Sequence, residues 1–327
     1  MKAIIITKPG GPEVLELRDV PTPEPSRGEV AVRVRATAVN RADLLQRMGG
    51  YPAPPDAPAD IPGLEYAGTV AALGPGVTDW KVGDRVFGLA GGGTYAETVV
   101  VHGRTLARIP DALDDTGAAS VPEAFITAYD GLVSQAGLAS GEQVLISAVG
   151  SGVGTAAIQL VRALGATAIG TARTADKLDR ARPLGLAHGI ASADGKFARA
   201  VLDATGGRGV DVVLELVGGG YVAEDLACVA QRGRIVLVGL IAGARAELEL
   251  HVILRKRLTV IGTVLRARPL EEKIAANQLF ARHVVPLLAS GAVVPSVDRT
   301  FPLAQAAEAH AYVAGNTSFG KVVLTVP

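Results

Sequence analysis

The sequence predicts an α/β fold in which a doubly wound parallel sheet is inserted into a mostly antiparallel β-domain. Three observations carry that prediction. From Met1 to about Ser120 the chain is rich in Pro, Gly and Val, and apolar residues alternate with polar ones. From about Glu123 strand-like and helix-like segments take turns. After Val294 the β-like texture returns and rejoins the first region. The β-domain is therefore assigned residues 1–122 and 294–327, and the inserted domain residues 123–293. A chain of 327 residues is long enough to give both an ample core.

Each element has its own signal. In residues 29–35, Val30, Val32 and Val34 fall on one face, with Arg33 and Arg35 on the other, the period of a half-buried strand. Residues 83–88 and 95–101 read as further strands between Gly and Pro punctuation. In the inserted region strands are expected at 143–147, 167–172, 211–217, 234–239 and 258–264. Helices are expected at 174–184, 197–205 and 221–231. Repeated strand–helix units give a parallel sheet covered on both faces. A strand at 296–301, a helix at 303–313 and a strand at 321–326 complete the β-domain.

The chemistry concentrates in residues 144–165. Val144, Leu145 and Ile146 feed a turn made of Gly150, Ser151, Gly152, Val153 and Gly154, and an apolar helix follows with Ile158, Leu160, Val161 and Leu164. Bare glycines let backbone N–H groups approach a pyrophosphate, and the helix start adds partial positive charge. The strict G-x-G-x-x-G spacing is not kept, because Val149 and Ser151 stand in its first two glycine slots. Strand, turn and helix nevertheless come in the required order, so a dinucleotide site is expected. NAD-binding chains place an acidic residue about 20 positions further on, to hold the ribose hydroxyls. Here the slot after the second strand holds Arg173 and Thr174, with Lys177 one turn later. Asp176 reads as a first-turn helix residue complementing the dipole. Two cations and a hydroxyl suit a 2′-phosphate, so NADPH is the expected cofactor. The alternative is that Arg173 and Lys177 form an ordinary solvated helix face.

Composition excludes several classes. Lys plus Arg and Asp plus Glu both number 32, so neither nucleic acid nor an anionic membrane is the expected partner. Aromatic residues, at 4%, are too few for base-stacking platforms. No apolar run reaches the ~20 residues that span a bilayer, and the start turns polar too soon for a signal peptide. The single cysteine, Cys228, leaves no internal disulfide framework, and a cytoplasmic protein is expected. His102, His188, His251, His283 and His310 lie outside metal-ligand spacing, so no metal is expected. No G-x-S-x-G elbow supports a hydrolase.

Further motifs run in order along nearly the whole chain: Val39-Asn-Arg-Ala-Asp-Leu, Gly49-Gly-Tyr-Pro, Pro62-Gly-Leu-Glu-Tyr-Ala-Gly, Gly83-Asp-Arg-Val, Val121-Pro-Glu-Ala-Phe-Ile-Thr-Ala-Tyr and Phe319-Gly-Lys-Val-Val-Leu. With the glycine turn they resemble the zinc-independent medium-chain dehydrogenase/reductases of the quinone oxidoreductase (zeta-crystallin-like) family. The branch with the animal tumour-suppressor-inducible quinone oxidoreductase shares Asn-Arg-Ala-Asp-Leu, Pro-Glu-Ala and Ser-Gly-Val-Gly-Thr-Ala-Ala-Ile-Gln-Leu.

The resemblance implies a GroES-like β-domain with an inserted Rossmann domain. Zinc-dependent relatives place a cysteine where Asn40 stands and a histidine–glutamate pair where Leu64 and Glu65 stand, in keeping with a metal-free site. Asn40, Asp43 and Tyr51 match positions lining the nicotinamide and substrate cleft. Thr127 and Val217 match cofactor positions, and Gly239, Leu240, Val264, Leu265, Phe319, Gly320 and Lys321 match segments that close over the cofactor. Relatives often carry a tyrosine near the adenosine phosphate where this chain has Ser192. Read without the resemblance, Asn40 braces the turn before a helix, Tyr51 anchors a loop, and Glu65 forms an ion pair within the β-domain.

The implied activity is NADPH-dependent reduction of a quinone, by hydride or with a one-electron outcome. An enoyl-thioester or alkenal reductase is the alternative enzyme. An NADPH-binding structural or RNA-binding crystallin-like protein is a third, which the zero net charge disfavours. A homodimer through the Rossmann domain is also expected, because residues 258–265 form an apolar segment late in the sheet.

Overall fold

The computed structural model describes residues 1–327. It divides into a split unit, Met1–Ile126 with Leu265–Pro327, and an inserted unit, Thr127–Val264.

The split unit opens with β1 (Lys2–Ile6) and β2 (Leu15–Asp19), paired antiparallel. Then come β3 (Glu29–Val39), α1 (Arg41–Arg47), β4 (Glu65–Leu73), β5 (Arg85–Leu89), β6 (Thr98–His102) and β7 (Leu106–Arg108). The alternation read in β3 holds: Val30, Val32 and Val34 are buried and Arg33 is exposed. α2 (Asp115–Ala119) is capped by Asp114, whose Oδ1 accepts the Gly117 N–H at 2.7 Å. α3 (Pro122–Tyr129) starts at a proline, whose fixed φ suits a first turn, and the unit boundary falls within it.

The inserted unit contains β8 (Gln143–Ile146), α4 (Gly152–Ala163), β9 (Thr167–Ala172), α5 (Ala175–Ala181), β10 (Leu186–Ala191) and α6 (Ala198–Ala204). It continues with β11 (Val210–Glu215), α7 (Tyr221–Cys228), β12 (Val229–Leu237), α8 (Leu250–Lys256) and β13 (Thr259–Gly262). The six strands are parallel in the order β10-β9-β8-β11-β12-β13. That order reverses between β8 and β11, the switch point where such sheets bind ligands. The helix expected over 221–231 stops at Cys228. Arg232 takes a left-handed φ of +61° ahead of Gly233, and β12 pairs with β11 in two pieces, at Val229 and again from Arg234.

The chain then returns to the split unit with α9 (Leu270–His283), α10 (Val285–Ala289), β14 (Val297–Pro302), α11 (Ala306–Ala314) and β15 (Lys321–Thr325). β15 pairs antiparallel with β3, and the sheet runs β14-β15-β3-β4-β5-β7, with β6 also on β3. The tail rejoins the first region, but the boundaries differ from those read at 122 and 294. α9 has the periodicity of one more sheet-covering helix, yet its buried Phe280 packs 5.5 Å from Phe87 of β5. Residues 265–293 therefore belong to the split unit.

One buried pair in the inserted unit makes stability depend on pH. Glu215 and Asp225 are fully buried, and Glu215 Oε1 accepts the N–H groups of Val217 and Gly218 at 2.5 and 2.6 Å. The carboxyl of Asp225 faces that of Glu215. Burial, and then the charge of Glu215, hold Asp225 protonated well above the ordinary carboxylate range. A raised folded-state pKa gives stability that is complete at low pH and is lost as pH rises above the unfolded value near 3.8. Asp225→Asn supplies the same donor without a bound proton. The variant is expected to melt higher than wild type at pH 8, with a flatter profile from pH 5 to 9. Parallel pH profiles in calorimetry would refute this.

Candidate functional site

In the inserted unit the chain leaves β8 through a strained turn. Ala148 has a φ of +51°, held there by the Ser151 N–H on its carbonyl at 2.9 Å and by the Val149 N–H on the Thr171 carbonyl at 3.0 Å. Left-handed geometry at a residue with a Cβ costs about 1 kcal/mol or more and marks a constrained functional turn. Ser151 caps α4, its Oγ accepting the Gly154 N–H at 3.0 Å. A Cβ on Gly154 would lie 2.5 Å from the Ala148 carbonyl oxygen, so only glycine permits this close approach. Ser147 ties the switch point together: its Oγ accepts the Leu216 N–H at 2.6 Å, and its N–H donates to the Leu214 carbonyl at 3.2 Å.

The discriminating slot follows β9. Arg173 and Thr174 are exposed there, and Thr174 is the N-cap of α5. The Lys177 stem lies over the glycine turn: a Cβ on Gly150 would sit 2.7 Å from Lys177 Cδ and 3.3 Å from its Cγ. The Lys177 stem thus borders the turn, Arg173 is exposed just after β9, and a capped helix start adjoins the turn. These features fit the diphosphate and 2′-phosphate of a dinucleotide. Ser192 is buried, with its N–H on the Ala172 carbonyl at 2.9 Å. The aromatic hydroxyl missing at that position has a neighbour from α7, because Tyr221 lies beside both Ser192 and Arg173. Sequence reading passed over Tyr221.

In the split unit a second cluster surrounds Glu65. Its Oε1 takes the Lys321 ammonium at 2.5 Å and Asn40 Nδ2 at 2.8 Å, and its Oε2 takes the Glu123 N–H at 2.8 Å. Lys321 also donates to Asn40 Oδ1 at 2.5 Å. The ammonium and the asparagine amide thus bond to each other and to one carboxylate. The resemblance matched Phe319–Lys321 to a segment that closes over the cofactor; the Lys321 ammonium at its end is buried in this cluster. No three His, Cys, Asp or Glu side chains converge to hold a metal ion.

Asp43 departs from its expected place at the cleft wall, being fully buried. Its Oδ2 accepts the Asn40 N–H at 2.8 Å, and its Oδ1 accepts the Gly63 N–H at 3.2 Å. Burial pushes its carboxyl up to about 6. Behind it lies a polar chain: Tyr95 Oη is 3.3 Å from Asp43 Oδ2 and 3.1 Å from His310 Nε2, and Arg47 Nη1 is 3.4 Å from His310 Nδ1. With Arg47 donating to Nδ1, the imidazole carries its proton on Nε2. Burial, and then Arg47, lower its pKa to about 3 and keep it neutral. Asp43 therefore positions Asn40 and the Gly63 turn from beneath.

Tyr51 is held by a residue that sequence reading missed. Arg266 is buried, and its guanidinium donates to the carbonyls of Gly91 at 2.7 Å and Tyr51 at 3.2 Å, and to Gln46 Oε1 at 2.6 Å. It also lies over the Tyr51 ring at 5.1 Å. Burial raises the Tyr51 phenol above its ordinary pKa, so it keeps its proton. The other expected residues scatter. Thr127 and Phe319 are buried, and Leu240 and Val264 are exposed. Gly239 packs against Leu216, where a Cβ would meet the carbonyl oxygen at 2.4 Å. Val217 donates to Glu215. Gly320 takes a φ of +85°, and Leu265 lines a cavity of the split unit.

A split β-unit carrying a parallel sheet, with a glycine turn at its first crossover, defines a two-domain dehydrogenase/reductase. Two family models match it: the alcohol dehydrogenase GroES-like domain over residues 26–111 and the zinc-binding dehydrogenase over residues 152–282. A quinone oxidoreductase of Pseudomonas aeruginosa is 36% identical over 320 residues, 96% of each chain. A 2-haloacrylate reductase of a Burkholderia species is 33% identical over 98% of each. The crystal structure of Escherichia coli quinone oxidoreductase complexed with NADPH superimposes with a TM-score of 0.89 at 30% identity, over 99% of this chain and all of the other. A mycocerosic acid synthase-like polyketide synthase of Mycobacterium tuberculosis is 34% identical over 98% of this chain, which spans 15% of that relative's length. The chain belongs to the medium-chain dehydrogenase/reductase superfamily, with quinone oxidoreductases among its full-length homologues. No helix is long and apolar enough to cross a membrane.

Proposed function

We propose that this protein is a metal-independent, NADPH-dependent reductase of quinones and related electron-poor conjugated carbonyl compounds. The observation that carries the reading is the glycine turn covered by the Lys177 stem, with Arg173 exposed just after β9. The backbone of Gly150–Gly154 would hold the diphosphate, and the two cations the 2′-phosphate. Bound NADPH supplies a hydride, or single electrons to acceptors that take them singly. The protein's own contribution is to orient the acceptor and limit water around it. Charge delivered to a quinone lands on oxygens that water can protonate, so positioning does most of the work.

The deciding experiment is turnover with NADPH across a panel of quinones, enals and enoyl thioesters, with zinc analysis of the active protein. Chelator-insensitive quinone turnover at substoichiometric zinc is expected. Stoichiometric zinc with chelator-sensitive turnover would sink the metal-independent reading. Reduction of a conjugated alkene is a second reading, favoured by the likeness to a 2-haloacrylate reductase.

Tyr51 enters the quinone reading through packing. Tyr51→Phe keeps the ring under Arg266 and removes only the hydroxyl. Quinone turnover is expected to stay within about tenfold of wild type, short of the 10²–10⁴-fold loss of a general acid. A collapse in quinone turnover would place the phenol in the chemistry.

The proposed assembly is a homodimer through the inserted unit. β13 is an edge strand, and Val260, Leu250, Leu254 and Val264 near it in sequence are exposed. An open apolar edge is a liability that pairing with a second copy removes. Sedimentation at micromolar concentration should give a dimer, and Val260→Lys should shift it to monomer. A wild-type monomer would refute the assembly.

A further inference from the structure

β9, β10 and β11 run parallel, so the residues that follow them come to one edge of the inserted sheet: Arg173 after β9, Ser192 after β10, and Tyr221, which opens α7 after β11. Parallel sheets bind their ligands outside this carboxyl edge. The Ser192 N–H on the Ala172 carbonyl at 2.9 Å ties the end of β10 to that of β9, next to Arg173. Ser192 is 1% exposed, and its hydroxyl makes no hydrogen bond. A buried hydroxyl without a partner is costly, and such an orphan marks a chain of bonds that a ligand completes.

Tyr221 is the side chain built to receive that hydroxyl. Its ring is half-buried and packs against Phe197, with centroids 5.2 Å apart at 51°. A Cβ on Gly195, where φ is +78°, would lie 3.1 Å from Tyr221 Cε2, so the bare Gly195 turn leaves room for the ring and little more. The Tyr221 N–H on the Gly218 carbonyl at 3.2 Å fixes the backbone. The phenol lies beside Ser192 and Arg173, with Glu215 and Asp194 as its acidic neighbours. Of these, Glu215 is committed to the Val217 and Gly218 N–H groups, and exposed Asp194 accepts the Lys196 N–H at 3.0 Å. Burial, and next the charge of Glu215, raise the phenol above its ordinary pKa, so it keeps its proton and is a donor at neutral pH.

We propose that Tyr221 is a specificity-determining residue for the cofactor, its phenol donating to the 2′-phosphate beside Arg173 while the Ser192 hydroxyl donates to the phenol oxygen. The inference rests on the reading of NADPH as the cofactor and deepens it. A phosphate dianion only accepts hydrogen bonds, so a protonated phenol and a guanidinium both suit it. The bond to an ionised acceptor is stronger than one to a ribose hydroxyl, so the phenol favours the phosphorylated ribose over the bare one. The orphaned Ser192 hydroxyl gains its partner in the same chain.

The test is titration calorimetry of the whole protein with adenosine 2′,5′-bisphosphate and with 5′-AMP, repeated with NADPH and NADH; no turnover is needed. Tyr221→Phe keeps the ring on Phe197 and Gly195 and removes only the hydroxyl. It should weaken the bisphosphate and NADPH by about tenfold, the low end for a bond to a charged group. 5′-AMP and NADH should stay within about twofold. Ser192→Ala should cost about two- to fivefold in the wild-type background and nothing further in Tyr221→Phe, as expected of two groups acting in one chain. In protein labelled with ¹³C at the tyrosine ζ-carbon, the resonance that Tyr221→Phe lacks should shift with the bisphosphate and stay still with 5′-AMP. Equal losses for both nucleotides would mean that the ring supports the adenosine, and would overturn the role. Unchanged NADPH affinity in Tyr221→Phe, with wild type still preferring NADPH, would overturn it too and leave the cofactor reading intact. A wild type that binds the bisphosphate no better than 5′-AMP would overturn the cofactor reading, and the role with it.

Discussion

Replacing Lys321 with Met is expected to lower unfolding free energy by about 3–5 kcal/mol, the cost of breaking a buried ion pair from one side. The Lys321 ammonium lies 2.5 Å from Glu65 Oε1, and the two residues are 5% and 0% exposed. Met keeps most of the stem volume, so the change isolates the charge. It would leave the Glu65 carboxylate with only the Asn40 amide and the Glu123 N–H as partners. Glu65→Gln combined with Lys321→Met should recover most of the loss, because it removes the stranded charge along with its counter-ion. The readout is urea dependence of amide protection in β3 and β15, which assigns the loss to this sheet in a chain of two units. A single-variant loss below about 1 kcal/mol would mean that water reaches the pair and screens it.

This pair also marks where sequence reading stops. The glycine turn, the parallel strands and the slot after β9 were legible because their signals are local: period, turn residues and order along the chain. Glu65 could be read as an ion-pair partner, but its cation stands 256 positions away. Nothing in the local pattern around Lys321 distinguishes a buried ammonium from one facing a cofactor. Arg266 was missed for the same reason, since its partners at 46, 51 and 91 belong to loops and a helix end far upstream. Asp43 was read as a cleft residue through its motif, whereas its spacing from Asn40 carries a plainer message: a third-position carboxylate reaching back to the N-cap N–H. The domain boundary moved because amphipathic periodicity reports that α9 has a buried face, and says nothing about which core receives it.

The last expected result concerns cofactor choice. Arg173→Ala and Lys177→Met should each weaken NADPH binding by about ten- to a hundredfold. A charge-assisted hydrogen bond is worth roughly 1.5–3 kcal/mol, and each 1.4 kcal/mol is about tenfold. The choice of Met at 177 matters. The Lys177 stem covers Gly150, so truncation to Ala would uncover the turn as well as remove the charge. Met keeps the apolar cover, and any loss it causes belongs to the ammonium. The double variant should lose less than the sum of the two, because both groups would share one dianionic phosphate and the survivor compensates in part. NADH has no 2′-phosphate, so its affinity should stay within about twofold in all three variants if the turn itself is intact. Titration calorimetry with both cofactors separates the possibilities. A NADPH-specific loss assigns the phosphate to Arg173 and Lys177. Equal losses for NADPH and NADH would mean that the two side chains support the turn, and the preference for NADPH would need another source.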